Sequence, residues 1–173
     1  MRRASLSDRF RGVSEPRSKG ASFTEMTEVV LPQHANVLGS VFGGTVMAWV
    51  DVCGAITAQR HCKRVCVTAA VDDLAFLAPI RVGDIVRLTG RVNATFRTSL
   101  EVDVRVERED PRTLERSVCV ETLMTFVAVD DEGRPCVVPP LAYENDDDTR
   151  RRDAAYARRE ARLARARERT KAP

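Results

Sequence analysis

Leu100, Val102, Val104 and Val106 alternate with Glu101, Asp103, Arg105 and Glu107. That is the two-residue period of a strand with one buried and one solvated face. The alternation runs through DIVRLTGRVNATFRTSLEVDVRVERED, from Asp84 to Asp110, and predicts one or two strands. DPRTL then turns the chain, and RSVCVETLMTFVAVDDEGRP predicts a last long strand closing on an Asp-Glu-Gly turn. Upstream, SFTEMTEVVLP (Ser22 to Pro32) alternates roughly and stops at a proline, which suits a first strand. VCVTAAVDDLAFLAPI is largely apolar and runs into the Gly83-Asp84 turn.

One stretch follows a different rule. QHANVLGSVFGG reads as a loop rich in Asn and Gly, and it precedes a helix from about Thr45 to His61, some 17 residues and ~25 Å long. This helix has almost no polar face. Met47, Asp51, Ala55 and Ala58 share one side, Val46, Val50, Cys53 and Thr57 another, and Trp49, Cys53 and Ile56 a third. A single helix is buried on all sides only if a sheet wraps it. The expected fold is α+β, a curved antiparallel sheet around one long central helix. Asp51 is then expected to project into the core or into a cavity at an interface. Gly54, one turn on, costs ~1 kcal/mol relative to Ala inside a helix and so predicts a close neighbour.

Length and composition add boundaries. The 173 residues suit one domain with tails: a disordered basic lead-in over 1–20, the domain over 21–140, and a basic Arg/Ala-rich, partly helical tail over 141–173. Apolar residues reach 43% but aromatics only 5%, so the core should be aliphatic. No apolar run approaches the ~20 residues that span a bilayer, and the amino terminus lacks the apolar stretch of a secretory signal. Cys53, Cys62, Cys66, Cys119 and Cys136 are odd in number and lack paired CxxC spacing, so they are expected to be reduced thiols in a cytoplasmic protein. The net charge of +3 divides unevenly: +4 over residues 1–20, +7 over 149–173, and −8 over the body between them. The carboxyl-terminal segment has only Tyr156 and Leu163 as sizeable apolar residues, so it is expected to be a solvated or frayed helix. Charge without aromatic interleaving or a binding module does not indicate a nucleic-acid partner.

Asp51 has two readings. One is a satisfied buried carboxylate, bonded to backbone, Thr45 or Thr57; the other is a catalytic group. The loop before the helix favours the second. Gly43 and Gly44 put unencumbered N–H groups at the positive end of the helix dipole, where a carbonyl oxygen becoming an oxyanion would be held. Asn36 offers a donor and an acceptor nearby in the chain. Competing chemistries lack their residues: GSVFG is not a G-x-S-x-G elbow, His34 and His61 are the only histidines, and no phosphate loop or metal spacing occurs. What remains is a carboxylate, an amide and a helix N-terminus, a set that hydrolyses an activated acyl group with no metal and no cofactor.

NVLGSVFGGTVMAWVDVCGAITAQRH, then VTAAVDDLAFLAPIRVGDIV and RTSLEV, resembles the hotdog-fold acyl-CoA thioesterases (acyl-CoA hydrolases) over about Ser22 to Arg134. The resemblance joins an N-x-x-G-x-x-F-G-G loop, an aspartate on the helix, F-x-x-P-I-x-x-G-D and R-T-S. It implies that Asp51 is the catalytic carboxylate, as general base or as nucleophile, and that Asn36 orients water or thioester. It also implies that the Gly43 and Gly44 amides polarise the thioester carbonyl. Arg97, Thr98 and Ser99 would lie against coenzyme A (CoA), with Thr68, Arg60 and Arg64 as lesser site residues. Phe96 departs from the pattern, since relatives often place a glycine before this arginine. In such enzymes two subunits share each site, and homodimers commonly assemble into trimers of dimers. Two rivals stay open: another hotdog acyl-thioester enzyme, a dehydratase or hydratase, and a non-catalytic acyl-CoA-binding or nucleic-acid-binding module.

Overall fold

The computed structural model describes residues 15–171, and side chains as far as 169. The expectation of a disordered lead-in therefore falls mainly outside the described residues. Five strands and two helices follow in order: β1 (Thr24–Val29), α1 (Gly43–Cys62), β2 (Cys66–Phe76), β3 (Ile85–Thr95), β4 (Ser99–Glu109), β5 (Arg116–Ala128) and α2 (Asp146–Lys171). The strands form one sheet in the order β1-β3-β4-β5-β2, antiparallel at every pairing.

The long alternating stretch is two strands. The chain reverses at Phe96–Thr98, where the Phe96 N–H donates to the Ser99 carbonyl at 2.7 Å. The last strand stops at Ala128, because Asp130 then caps its own turn: its carboxylate accepts from the N–H groups of Glu132 and Arg134.

Every second residue of the central strands faces α1. Val86, Leu88, Leu100, Val102, Val104, Val106 and Phe126 are fully buried, and Val46, Val50, Cys53 and Ala58 meet them from the helix. Burial of each large aliphatic side chain contributes about 1.5–3 kcal/mol, so this layer dominates the stability of the sheet on the helix. Two glycines set the approach. A Cβ on Gly54 would lie 2.9 Å from the Phe126 ring, which is the close neighbour the helix glycine predicts. A Cβ on Gly90 of β3 would lie 2.2 Å from Thr57 Oγ1.

α1 begins two residues earlier than the sequence suggests, at Gly43, with Phe42 at the N-cap position and no side-chain cap. Its last turn is closed by Lys63 in the left-handed conformation, φ 51°. Arg60 reaches from that turn to the Phe23 carbonyl and the Thr24 hydroxyl, tying α1 to β1.

The tails are the main departure from expectation. α2 is a docked helix rather than a solvated one. Arg158 grips the fully buried Glu101 with two bonds of 2.7 and 3.1 Å, Arg162 pairs with Asp72 at 2.5 Å, and Ala155 is completely buried. These partners point away from α1, so α2 covers part of the outer face of the sheet. Residues 15–20 are placed as well: Arg17 bridges to Leu141 and Lys19 pairs with Asp148 at 2.9 Å. Among the described residues, no helix is long and apolar enough to cross a membrane.

Candidate active site

α1 is not enclosed by its own sheet. Met47, Asp51 and Val52 are exposed along one side of it, and Val67, Thr68, Val71 and Phe76 are exposed on β2 beside them. Asp51 therefore lies on an open apolar face and not in the core, which corrects the buried-carboxylate reading. Neither Thr45 nor Thr57 bonds to it; Thr57 donates instead to the Cys53 carbonyl at 2.8 Å. The partner of Asp51 is Thr68, whose hydroxyl donates to Oδ1 at 2.6 Å. The first residues of β2 thus place a hydroxyl against the middle of α1. One carboxylate oxygen is held and the other left open.

At the start of α1 the N–H groups of Gly43 and Gly44 have no hydrogen-bond partner among the described residues, while Thr45 and Val46 already donate to the Phe42 carbonyl. Both glycines are accessible, as the first turn of a helix with no side-chain cap requires. An apolar cleft of ≈ 210 Å³, lined by Ser40, Val41, Val46, Phe76, Pro79 and Ile80, opens next to them; the Phe76 ring lies 3.3 Å from where a Gly43 Cβ would be. A larger concavity on the outer sheet face, ≈ 870 Å³, is lined by Arg87, Arg91, Arg105, Asp103, Glu107 and Glu121 among others. Those arginines are already paired with carboxylates, and Asp51 is not among its walls, so the candidate site residues gather at the α1–β2 face instead.

Asn36 sits in the loop before α1. Its Oδ1 accepts from the N–H groups of Leu38 and Ser40, at 2.9 and 3.3 Å. The side-chain NH₂ is consequently the group left to act, so Asn36 is a donor rather than a donor-acceptor pair. Among the described residues, no hydrogen bond joins Asn36 to Asp51. Arg97, Thr98 and Ser99 form the β3–β4 hairpin tip, with Arg97 exposed and free of ion pairs among the described residues. The tip is at the same end of the sheet as Thr68, because Val67 registers with Val127 and Val127 with Ser99. Arg64 is exposed in the α1–β2 turn, whereas Arg60 is occupied with β1. Thr68, a lesser candidate in the sequence, is the residue that the structure brings against Asp51. The signal was a hydroxyl two residues into the strand after the helix, and only register brings it to Asp51.

Neither histidine stands at this face as a free base. His61 is buried with Nε2 donating to the Pro139 carbonyl at 2.9 Å, and burial holds its pKa below the ordinary value. His34 accepts the Leu31 N–H on Nδ1 and packs edge-on against Trp49 at 5.2 Å.

A five-stranded antiparallel sheet curved round one helix, with a carboxylate on that helix paired to a strand hydroxyl, defines a hotdog-fold domain. Residues 38–115 match the thioesterase superfamily model. The chain is 36% identical over 132 residues to YkhA of Bacillus subtilis, an uncharacterized acyl-CoA thioester hydrolase, covering 76% of this chain and 77% of that one. An apo-hexameric acyl-CoA thioesterase superposes with a TM-score of 0.84 at 39% identity, over 88% of this chain and 98% of the other. An acyl-CoA hydrolase from Staphylococcus aureus, solved with butyryl coenzyme A, coenzyme A and coenzyme A disulfide, gives 0.81 at 36%, over 89% and 94%. The chain belongs to the hotdog-fold acyl-CoA thioesterase family of the thioesterase superfamily.

Proposed function

We infer that this chain hydrolyses the thioester of acyl-CoA, consuming water and releasing a carboxylic acid and free CoA. The observation that carries the reading is the Thr68–Asp51 hydrogen bond on an exposed apolar face, beside the bare N–H groups of Gly43 and Gly44. The thioester carbonyl is held by those N–H groups, where the helix dipole stabilises the negative charge that develops on oxygen. Asp51, its Oδ1 fixed by Thr68, either takes a proton from the attacking water or attacks the carbonyl carbon itself. In both routes the C–S bond breaks and the sulfur leaves as the CoA thiol; in the second, water then opens the mixed anhydride formed with Asp51, releasing the acid and restoring the carboxylate. The reaction is proposed to need no cofactor, since a carboxylate and a polarised carbonyl suffice for an activated acyl group.

The staphylococcal enzyme has also been solved with single alanine replacements of an aspartate, an asparagine and a threonine. There the asparagine precedes the aspartate by 15 positions and the threonine follows it by 17, the spacings of Asn36, Asp51 and Thr68 in this chain. That coincidence supports a joint role for the three.

The partner in this reading is a second copy. Among the described residues no hydrogen bond joins Asn36 to Asp51, and β2 is an edge strand with Val67, Val71 and Phe76 exposed on it and Val52 exposed on α1. A dimer covering this face closes the cleft and brings Asn36 of one subunit to Asp51 of the other. Assembly of such dimers into a hexamer is supported by the hexameric neighbour. A cytoplasmic setting agrees with five cysteines that remain thiols. A histidine-dependent dehydratase is disfavoured by the engagement of both histidines elsewhere.

Release of thiol from a panel of acyl-CoAs, followed with a thiol reagent, tests the reading. Turnover on at least one chain length is the expected result. Stoichiometric CoA binding without thiol release would make the protein an acyl-CoA-binding module instead.

A further inference from the structure

We propose that α2 is the positioning element for the nucleotide end of the acyl-CoA site, and that Arg159 is its second phosphate-binding cation beside Arg97. The proposal rests on the acyl-CoA reading above and extends it to residues outside the helix–strand chemistry.

Phe96 anchors α2 to the sheet. This residue sits at the tip of the β3–β4 hairpin, immediately before Arg97, and it is only 9% exposed. The main core does not bury it. Phe96 forms a separate apolar cluster with Ala94 and with Ala155 of α2. The Tyr156 ring meets it edge-on at 5.1 Å and 71°, and the Arg159 guanidinium lies over its face, 4.9 Å from the centroid. The bulky residue at this position is therefore the docking point of α2.

Bonds on both sides of the tip complete the grip. The Tyr156 hydroxyl donates to the Thr95 carbonyl at 3.3 Å, and Arg158 holds Glu101, two residues beyond Ser99, with two bonds. The segment leading into α2 adds two more. The Leu141 N–H donates to Thr95 Oγ1 at 3.1 Å and the Val138 N–H to the Arg97 carbonyl at 3.0 Å. Backbone on either side of Arg97 is thus fixed by residues 138–158.

Charge explains why such a grip has a use. CoA is a polyanion, and the body of this protein carries a net −8. Cations must then be concentrated where phosphate groups lie. Arg87, Arg91 and Arg105 on the outer face are paired with Glu25, Asp103 and Glu121, whereas Arg97 has no ion pair among the described residues. Among the described residues the one ion pair of Arg159 is with its exposed neighbour Glu160, at 3.3 Å, a pair of small value in water. Stacking holds the Arg159 guanidinium on Phe96, the residue immediately before Arg97 in the chain.

Steady-state kinetics with acyl-CoA and with the same acyl group on pantetheine, which lacks the nucleotide, test the proposal. Arg159→Gln should raise KM for acyl-CoA about fivefold while kcat, and kcat/KM on acyl-pantetheine, stay within about twofold. Arg159→Lys should recover part of the loss, and Phe96→Ala should reproduce it with the same substrate pattern. Equal losses on both substrates, or an unchanged KM for acyl-CoA in Arg159→Gln, would overturn it. If the intact chain hydrolyses neither thioester, the hydrolase reading fails on its own. Titration with CoA against pantetheine then decides the role of α2: Arg159→Gln must weaken CoA binding alone, and equal affinity for intact and variant chains contradicts the proposal.

Discussion

At the scale of single residues, the proposed site depends on how one hydroxyl orients one carboxylate. Thr68 holds Oδ1 of Asp51 at 2.6 Å on an exposed face, where an unanchored side chain would sample several rotamers. Thr68→Val keeps the shape and removes the donor, and kcat on acyl-CoA should fall about tenfold or more, with Thr68→Ser largely restoring it. Comparison of kcat for the three forms is the check; equal rates would mean that Thr68 only packs. Two glycines make a complementary claim about stability. Ala at Gly54 would gain ~1 kcal/mol of helix propensity but meets Phe126 at 2.9 Å, and Ala at Gly90 meets Thr57 Oγ1 at 2.2 Å. Both substitutions should lower the midpoint of urea unfolding, Gly90→Ala by the equivalent of about 2–3 kcal/mol.

At the scale of elements, legibility followed the source of burial. The strand alternation of residues 100–107 was readable because one face meets α1 and the other meets water. The break between β3 and β4 was not, since Phe-Arg-Thr carries no Gly or Asn to mark a turn. The helical character of the carboxyl-terminal segment was legible, but the docking of α2 was not, for a related reason: it docks through arginine–carboxylate pairs and through Phe96, so its own sequence shows almost no apolar stripe. α1 misled in the opposite direction. It is apolar nearly all round because one side is left bare in the single chain, not because its own sheet encloses it. Asp51, the glycine amides and Asn36 were legible as chemistry, but the Thr68 pairing needed the strand register.

Two predictions belong to this scale. Arg158→Ala would leave the fully buried Glu101 without its bidentate partner and should cost about 3 kcal/mol, while Arg165→Ala, on the exposed side of α2, should change the thermal midpoint little. The last turn of α1 adds a pH dependence. Burial lowers the His61 pKa from its ordinary 6.5, and Nδ1 has no hydrogen-bond partner among the described residues. The folded chain therefore binds a proton less readily than the unfolded one. Its contribution is complete above about pH 6.5 and is lost as the pH falls through the folded value. Thermal midpoints between about pH 7 and 5 should drop less steeply in His61→Gln than in the parent. Parallel slopes would remove His61 from the account.

At the scale of the whole molecule, the proposed site needs a second copy of the chain. Exposed Val52 and Val67 flank Asp51 and Thr68, and the NH₂ of Asn36 has no hydrogen-bond partner among the described residues. Val67→Glu on the open edge of β2 should shift the protein toward monomer in light scattering and abolish turnover together, because the proposed subunit contact and the proposed site are the same surface. An active monomer would break that link. The central claim is narrower and is tested by replacing Asp51 with Ala. The account predicts that thiol release from acyl-CoA falls by about 10²–10⁴-fold, with oligomer size and CoA binding kept. A variant that retains most of its rate would contradict it.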